Sequence, residues 1–403
     1  MTATTTAAGI FTASPASPAA PATSAATPTT ATSRGLRVGL VCPYAFDTPG
    51  GVQNHVLGLA RYLRAQGHEP HILAPGDLQP DVGPPAQGFT SAGAPVPVRY
   101  NGSIARVNFG PLSATRVRRW LREGDFDLLH IHEPVTPSIS MLALWASDVP
   151  VVGTFHTATP RSRSMQLAGG ALRSAIEKID AGIAVSESAR RVVVQHLGRD
   201  AVVIPNGFSY REFAPGSGAV ATSGRPRLSF LGRMNEPRKG LDTLLEALPQ
   251  IRSTFGDLDV VVAGQGQRRL PAGCRAVGVV SDREKADLLR ASDVFVAPHL
   301  ARESFGIVLL EAMAARTAVV ASDLDAFADL LAPPALSERT SLGVTFPRGD
   351  PAALATAVRH VLTRPDLGRI EAAARASRRY DWSVVGAAVT EVYRSTAGVG
   401  RPR

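Results

Sequence analysis

Cysteine is scarce in this sequence of 403 residues, which contains only Cys42 and Cys274. The two lie far apart in apolar surroundings, so we expect free buried thiols in a reducing compartment rather than a disulfide. Long apolar runs are missing too, and no stretch reaches the length of a membrane span. Prolines interrupt the first 33 residues and the first arginine is Arg34, which argues against a secretory signal. These absences exclude a disulfide-stapled domain and a membrane-spanning protein.

Acidic residues are in the minority. The 43 lysines and arginines outnumber the 34 aspartates and glutamates, which gives a net charge of +9. This excess favours an anionic partner: nucleic acid, anionic lipid or a phosphorylated substrate, with solubility alone as the alternative. No helix-turn-helix, zinc or aromatic RNA-binding signature is present, which argues against nucleic acid.

Most of the chain alternates short apolar runs with amphipathic stretches. Residues 1–35 consist largely of Ala, Thr, Ser and Pro, and we interpret them as a disordered tail or a misassigned start. The alternation predicts an N-terminal α/β domain over 36–206 and a C-terminal one over 207–380, with a linker near 207–224. Residues 381–403 form a last helix and tail that we expect to return to the N-terminal domain. Two doubly wound, Rossmann-like domains of this kind leave a deep cleft between the carboxyl ends of their sheets.

Two glycines, Gly50 and Gly51, separate the first predicted strand from the helical pattern "GVQNHVLGLARYL". Glycine here would let a ligand come close to the N-terminus of that helix, where backbone N–H groups attract anions.

The second half carries a basic segment, "FLGRMNEPRKG", at the end of a predicted strand. Its Arg233, Arg238 and Lys239 suit a diphosphate, although a solvated charged turn is the alternative for this segment alone. Downstream, Glu303 precedes a helix and Glu311 lies on it, positions from which carboxylates can bind sugar hydroxyls.

The start of that helix is the second predicted anion site. Ser304 is a candidate N-cap. The backbone N–H groups of Phe305, Gly306 and Ile307 would then be free to bind phosphate.

Glu303 and Glu311 together resemble the Glu-x7-Glu motif of the retaining family-4 glycosyltransferases of GT-B fold, and Gly51, Arg233 and Lys239 also match that family. Over roughly residues 36–398 the chain is similar to the actinobacterial phosphatidylinositol α-mannosyltransferases. The segments that carry this similarity are "CPYAFDTPGGVQNHV", "YNGSIARVNFGP", "HIHEP", "EPRKG", "ESFGIVLLEAMAA", "SDLDAF" and "YDWSVV".

The resemblance implies roles for individual residues. Gly51, Arg233 and Lys239 would contact the donor diphosphate, and Glu311 the nucleotide ribose. Glu303 would contact hydroxyls of the transferred hexose. The resemblance also places His156, in "GTFHT", beside the hexose and the acceptor. The implied inositol-phosphate pocket consists of Tyr44, Tyr100, Asn101, Arg106 and Thr157.

The activity implied by the resemblance is transfer of mannose from GDP-mannose to the inositol ring of phosphatidylinositol. The protein would be cytoplasmic and peripheral at the inner face of the membrane. No cofactor is required, although a divalent cation is compatible with the chemistry. The residues themselves support only a diphosphate-sugar donor. A related transferase with another donor or acceptor is one alternative, and an inactive GT-B scaffold that binds membranes or partners is another.

A metal centre is not predicted. His130 and His132 share one face of a strand in "LLHIHEP", but the sequence shows no third ligand. The loop "GQGQRR" lacks the dinucleotide-binding fingerprint, which argues against a nicotinamide enzyme. Two positions depart from the family pattern: Arg161 replaces a lysine, and Arg316 replaces the glycine in "EAMAAG". Arg316 would be strained as a helix C-terminal residue.

A basic helix in the first half predicts a membrane-binding surface. Between Arg99 and Arg122 there are six arginines and no acid. In "TRVRRWLR" the residues predicted to contact anionic lipid are Arg116, Arg118, Arg119, Trp120 and Arg122. A charged outer helix with Trp120 facing the core is the alternative. "RSRSMQLAGGALRSAI" is a second basic and apolar stretch.

Overall fold

The computed structural model describes residues 35–47, 50–78, 88–100, 103–156, 174–216, 224–301, 303, 305–333 and 341–398. Some predictions concern residues outside these ranges: the tail, Asn101, Thr157, Ser304, Arg161 and most of the second basic stretch. The side chain of Tyr100 also lies outside the description, although its backbone is included.

The first sheet has seven parallel strands in the order β3-β2-β1-β6-β7-β8-β9. A separate antiparallel hairpin, β4-β5, lies between them in sequence. In chain order the strands are β1 Arg37–Val41, β2 Glu69–Ala74, β3 Phe89–Ser91, β4 Val96–Tyr100, β5 Ser103–Val107, β6 Leu128–His132, β7 Val151–Phe155, β8 Ala181–Ala184 and β9 Val202–Val203. The helices are α1 Gly51–Ala65, α2 Pro111–Gly124, α3 Ile139–Ala146, α4 Glu187–Leu197 and the short α5 Tyr210–Phe213.

The second sheet has six parallel strands in the order β12-β11-β10-β13-β14-β15. They are β10 Arg227–Leu231, β11 Asp259–Ala263, β12 Cys274–Gly278, β13 Val294–Ala297, β14 Ala318–Ser322 and β15 Val344–Phe346. The helices are α6 Leu241–Phe255, α7 Asp282–Arg290, α8 Ile307–Ala314, α9 Asp325–Leu331, α10 Pro351–Thr363, α11 Leu367–Ser377 and α12 Trp382–Gly398, with 3-10 turns at Pro237–Lys239 and Arg378–Tyr380.

The central strands of both sheets are buried on both faces, which explains why they read as continuous apolar runs. Every residue of β6 and β7 is buried, and so is every residue of β13. Parallel strands covered by helices on both sides need no polar face. The carboxyl ends of the strands are therefore the places where polar side chains can collect.

The last helix, α12, covers the first sheet. Val385, Val389 and Tyr393 are buried in the same core cluster as β1 and α1. Gly386 lets α12 approach closely, because a Cβ there would collide with the ring of Tyr62 on α1. The domain boundaries given above stay a prediction.

Two chain segments join the halves of the molecule, and they run side by side. The N–H of Phe208 donates to the carbonyl of Tyr380 at 3.0 Å, and the N–H of Trp382 donates to the carbonyl of Phe208 at 3.1 Å. The carboxylate of Asp381 accepts from the N–H of Tyr210 at 2.9 Å. These bonds tie the two crossings into one connection.

Arg316 ends α8 in the left-handed conformation, with φ of 60°. Its N–H donates to the carbonyl of Met313, and Thr317 donates to Ala312, the bonding pattern of a helix C-terminus that usually ends in glycine. The strained conformation predicted for Arg316 is therefore present. Its guanidinium lies 3.0 Å from the carboxylate of Glu371.

Candidate functional site

The first part of the site is the N-terminus of α1, at the carboxyl end of β1. Gly50 is extended, with φ of −161°, and no side chain caps the helix. A Cβ at Gly51 would meet nothing within 4 Å, so open space lies in front of the first turn. The helix also has no acid in its first turn. Its first N–H groups are thus available to an anion.

The second part is the basic segment after β10, whose cations already have carboxylate partners. Lys239 Nζ lies 3.0 Å from Glu303 Oε2. The guanidinium of Arg238 binds Glu236, and Arg233 lies 3.9 Å from the same carboxylate. Sequence reasoning missed Glu236, although "NEPRKG" contains it. A diphosphate would therefore share or replace these partners.

Glu303 lies in the loop after β13, and one fifth of its side chain is exposed. Burial alone would raise the pKa of its carboxyl, but the charge of Lys239 holds the pKa below its ordinary value. The ring of His299 is buried nearby, with Nε2 3.8 Å from Glu303 Oε2. Glu303 therefore carries its charge at neutral pH, ready to accept hydroxyl hydrogen bonds.

Glu311 is buried on α8 and forms an ion pair that the sequence reasoning missed. Lys285 Nζ lies 2.6 Å from Glu311 Oε1 and 3.0 Å from Asp282. Burial alone would lower the pKa of the Lys285 ammonium, but these two carboxylates raise it above its ordinary value. The sequence signal was the "SDRE" capping box formed by Ser281 and Glu284, which places Lys285 on the first turns of α7.

The helix that carries Glu311 starts later than a cap at Ser304 would place it. It begins at Ile307, and Gly306 is its N-cap in the left-handed conformation, with φ of 92°. The cap therefore lies at Gly306, and Ser304 itself is outside the described residues. Phe305 is buried against Tyr380, with ring centroids 5.7 Å apart, so it contributes packing as well as backbone.

One cavity of about 330 Å³ joins elements of both halves. Gly51 and Asn54 of α1 line it on one side, and Lys285, Ile307 and Glu311 line it on the other. Three predicted donor-binding residues thus meet around one space. Glu303 instead lines a separate cavity of about 400 Å³, with Ser186 of the first half and Asp325 of the second.

His156 follows β7 and belongs to a buried group of four histidines, which we call the histidine cluster: His55, His130, His132 and His156. His132 Nδ1 lies 2.9 Å from His156 Nε2. His130 instead bonds Thr154 and Tyr393, each at 2.6 Å. Burial lowers the pKa of all four rings, to about 4 for His156 and about 3 for His130, so they are neutral at pH 7.

The cluster corrects the expectation that no third metal ligand is present. His55, His132 and His156 each offer a ring nitrogen within 4.8 Å of the others. His130, which the sequence paired with His132, is not part of this group. His132 Nδ1 and His156 Nε2 lie 2.9 Å apart, so these two nitrogens bond each other in this structure.

The acceptor residues are only partly brought together. Tyr44 packs against the core cluster of the first half. The N–H of Ala45 donates to the carbonyl of Arg106 at 2.9 Å, which joins the end of β1 to β5. The guanidinium of Arg106 lies 2.7 Å from Asp47, and 44 % of its side chain is exposed. These contacts place Arg106 beside Tyr44, with its charge partly compensated.

The membrane prediction for Trp120 is wrong. Trp120 is only 6 % exposed and packs on Phe126, with ring centroids 4.4 Å apart, in a slot that Gly39 leaves open. Val117 is fully buried on the same face of α2. The indole cannot enter a bilayer while this core is intact. The alternative of a charged outer helix with a core-facing tryptophan describes α2 correctly.

The arginines of α2 do face outward, and exposed apolar side chains lie near them. Arg116, Arg118, Arg119 and Arg122 are all exposed. Leu112 at the start of α2 is 76 % exposed, and the nearby rings of Phe109 and Trp145 are about half exposed and 6.5 Å apart. A groove of about 810 Å³ between α2 and α3 is lined by Arg118, Leu121, Arg122, Leu142 and Trp145 among others. No helix in the described part of the chain is long and apolar enough to cross a bilayer.

Comparison with known proteins matches each half to a glycosyltransferase family model. Residues 49–211 match the model of Glycosyltransferase Family 4, and residues 225–364 match that of Glycosyl transferases group 1. A curated phosphatidyl-myo-inositol mannosyltransferase from Mycobacterium leprae is 47% identical over 380 residues, which cover 91% of this chain and 98% of that protein. One from Propionibacterium freudenreichii is 44% identical over 364 residues, covering 89% and 94%.

The chain belongs to the phosphatidyl-myo-inositol mannosyltransferase family. The recognition made from the motifs, and the prediction of a hexosyltransferase, are thereby confirmed. Solved structures agree on the fold of this glycosyltransferase. A Rickettsia africae glycosyltransferase matches with a TM-score of 0.71 at 18% identity, covering 91% of this chain and all of that one. The Anabaena protein HepE, solved with UDP and glucose, matches with a TM-score of 0.67 at 17% identity, covering 89% and 100%. The predicted GT-B fold is confirmed.

Proposed function

We propose that this glycosyltransferase moves mannose from GDP-mannose to the inositol ring of phosphatidylinositol, with retention of the anomeric configuration. Two curated relatives that align with this chain over nearly their whole length are named for this activity. The observation that carries the proposal is the cavity in which Gly51 of the first half faces Glu311 and Lys285 of the second. A nucleotide placed there touches both domains.

The donor groups follow from charge and position. The open N-terminus of α1, together with Arg233 and Lys239, neutralises the diphosphate as it leaves, which is the main electrostatic demand of the reaction. Arg238, Phe305, Gly306 and Ile307 complete the second-domain side of the donor site. Glu311, held by Lys285, accepts hydrogen bonds from the ribose.

Glu303 and His156 lie on opposite sides of the transferred hexose in this proposal. The charged Glu303 carboxylate accepts hydroxyls of the sugar. His156 is neutral, so its ring can accept or donate a hydrogen bond without introducing charge next to the sugar. The inositol phosphate binds on the first domain, at the pocket made of Tyr44, Tyr100, Asn101, Arg106 and Thr157.

Membrane contact is the remaining part of the proposal. A protein that modifies a phospholipid must reach the lipid headgroup, and α2 offers exposed arginines beside the apolar side chains of Leu112, Phe109 and Trp145. We propose that this surface, without Trp120, binds the inner face of the membrane as a peripheral attachment.

The test is a transfer assay with the purified full-length chain. GDP-mannose, UDP-glucose and UDP-galactose would be offered with vesicles containing phosphatidylinositol, with vesicles containing phosphatidylserine, and with soluble inositol phosphate. We expect product only from GDP-mannose with phosphatidylinositol. Transfer from a uridine donor would overturn the donor assignment. Equal transfer to soluble inositol phosphate would overturn the lipid acceptor and favour the alternative of a soluble one.

A further inference from the structure

The hydrogen bond between His132 and His156 joins the ends of two neighbouring strands. His132 is the last residue of β6, and its register partner on β7 is Thr154, two residues before His156. Both rings therefore project from the carboxyl edge of the first sheet. Because both are neutral, one ring nitrogen must donate and the other must accept. The bond then fixes the tautomers of both rings in a matched pair.

His156 is held at further points, among them a side-chain hydrogen bond with Asn206. Its backbone N–H donates to the carboxylate of Glu133 at 2.8 Å. Glu133 is buried and has a φ of 50°, an uncommon value for this residue type that tends to occur at functional sites. The ring of His55 lies edge-on to His156, with centroids 5.1 Å apart. Backbone, ring nitrogen and ring face of His156 are thus each in contact with a different residue.

We propose that His132 is a positioning residue that sets the orientation and tautomer of His156 for sugar transfer. This rests on the proposed function, in which His156 lies beside the transferred hexose and the acceptor. His132 is fully enclosed, whereas His156 keeps 6 % of its surface exposed, so His132 acts on the substrate only through His156. The carbonyl of His132 accepts a hydrogen bond from Ser140 Oγ at 2.7 Å, which anchors the positioning residue itself.

A metal ion on His55, His132 and His156 is the rival explanation. His132 Nε2 and His55 Nδ1 have no hydrogen-bond partner among the described residues. Nitrogens bound to one tetrahedral ion at about 2.0 Å would lie roughly 3.3 Å apart. His132 and His156 are 2.9 Å apart, the length of a direct hydrogen bond, which favours positioning.

The experiment compares three replacements of His132 in the full-length chain. Asparagine places a polar group where Nδ1 was, glutamine places one near Nε2, and alanine removes both. We expect His132→Ala to lower kcat about 100-fold, the usual effect of misplacing a catalytic group by about 1 Å. His132→Asn should recover most of kcat, and His132→Gln should not. The Kd for GDP should stay within about twofold in all three, because the groups proposed to bind the diphosphate and ribose lie elsewhere.

Two further variants separate the possible outcomes. Tyr393→Phe removes a bond to His130, a histidine of the same strand and burial, and should lower the thermal midpoint with little change in kcat.

His156→Ala should abolish transfer. If it does not, the proposed role of His156 fails. If His156→Ala is inactive but His132→Ala retains full kcat, only the positioning role fails. Equal losses for Asn, Gln and Ala would show a purely structural role. One zinc per chain by elemental analysis, lost in His132→Asn, would show that the cluster holds a metal.

Discussion

At the scale of single residues, the contact between Lys239 and Glu303 makes two predicted site residues partners of each other. Lys239 Nζ lies 3.0 Å from Glu303 Oε2, so the ammonium that would bind a diphosphate already has a carboxylate partner. In the proposed function, a bound diphosphate would share Lys239 with Glu303 or displace that carboxylate, and Glu303 would contact the hexose.

We expect Glu303→Gln to cripple transfer while GDP binds as well as before, or better. The substitution removes the charge that competes for Lys239, so the ammonium becomes more available. Lys239→Ala should instead weaken GDP binding by about 1.5–3 kcal/mol, the worth of a hydrogen bond to a charged group. Arg233→Ala should act in the same direction. Calorimetry with GDP on the variants measures this. A weaker GDP complex in Glu303→Gln would place Glu303 on the nucleotide rather than on the sugar.

Arg316 offers a stability prediction. A left-handed residue other than glycine costs roughly 1 kcal/mol, and the exposed ion pair with Glu371 contributes less than about 1 kcal/mol. We expect Arg316→Gly to leave the free energy of unfolding unchanged or raise it by up to about 1 kcal/mol. Arg316→Ala keeps the strained backbone and loses the pair, so it should be destabilising. Urea unfolding of the three proteins decides the order. If alanine is tolerated better than glycine, the strain argument fails.

At the scale of elements, α2 packs one face on the core and exposes a basic face on the other side. Its apolar face is the core face, with Val117 and Trp120, whereas the side facing away carries arginines and begins at the exposed Leu112. The sequence pattern predicted the amphipathic helix correctly. It could not tell which environment the apolar face meets, since a core and a bilayer select the same residue types.

We expect replacement of the four arginines of α2 by serine to weaken binding to anionic vesicles by several kcal/mol, at about 1 kcal/mol for each cation near the surface. Replacing Leu112 and Trp145 by serine should weaken binding further. The matched control removes four exposed second-domain arginines: Arg359, Arg364, Arg375 and Arg379. It changes net charge equally and should bind like the parent. Vesicle co-sedimentation at two salt concentrations is the measurement. Equal losses in control and α2 variants would reduce the effect to net charge.

Trp382, the first residue of α12, lies in a slot formed by two glycines. A Cβ at Gly58 of α1 would collide with the indole, and one at Gly207 would lie 2.7 Å from it. The indole also contacts the ring of His55, with centroids 5.1 Å apart. This slot connects the crossing between the domains to the histidine cluster.

We expect Gly58→Ala to be destabilising by about 1–3 kcal/mol through overpacking, although alanine in an open helix is favoured over glycine by about 1 kcal/mol. It should lower transfer as well, because the displaced indole presses on His55. Combining it with Trp382→Phe should relieve part of both effects. A double-mutant cycle on the urea midpoint and on kcat checks this. Additive losses would show that the slot is not the cause.

At the scale of the whole molecule, the two α/β halves and the Glu-x7-Glu motif could be predicted because each depends on local spacing. Strands such as β13 are apolar throughout, and the linker loses that pattern. The pairs Lys285–Glu311 and His132–His156 could not be predicted from the sequence. The partners are 26 and 24 residues apart, and only the topology of the sheets brings them together. The sequence likewise held no local signal that Tyr393 would reach His130, 263 residues away.

Stability should fall on acidification, and the histidine cluster gives the window. Burial lowers the folded pKa of His130 to about 3 and that of His156 to about 4, and His55 and His132 shift the same way. The unfolded chain takes up these protons below pH about 6.5, so the folded state is fully stabilised above that pH and loses stability down toward pH 4. Each ring contributes up to about 1.4 kcal/mol per pH unit. Urea midpoints at pH 7.5, 6 and 5 should decrease, and less steeply in His55→Phe. A flat profile would contradict neutral buried rings.

The return of α12 to the first sheet has a consequence for biosynthesis. The core around β1 and α1 includes Val385, Val389 and Tyr393, close to the carboxyl terminus. When the strands of the first sheet have been synthesised, the α12 residues that complete their core have not yet been made, whereas the second sheet is complete by Phe346. Domains usually mature in the order in which they are made. In this chain the first half cannot complete its core until α12 has been made, and α12 follows every strand of the second sheet in the sequence.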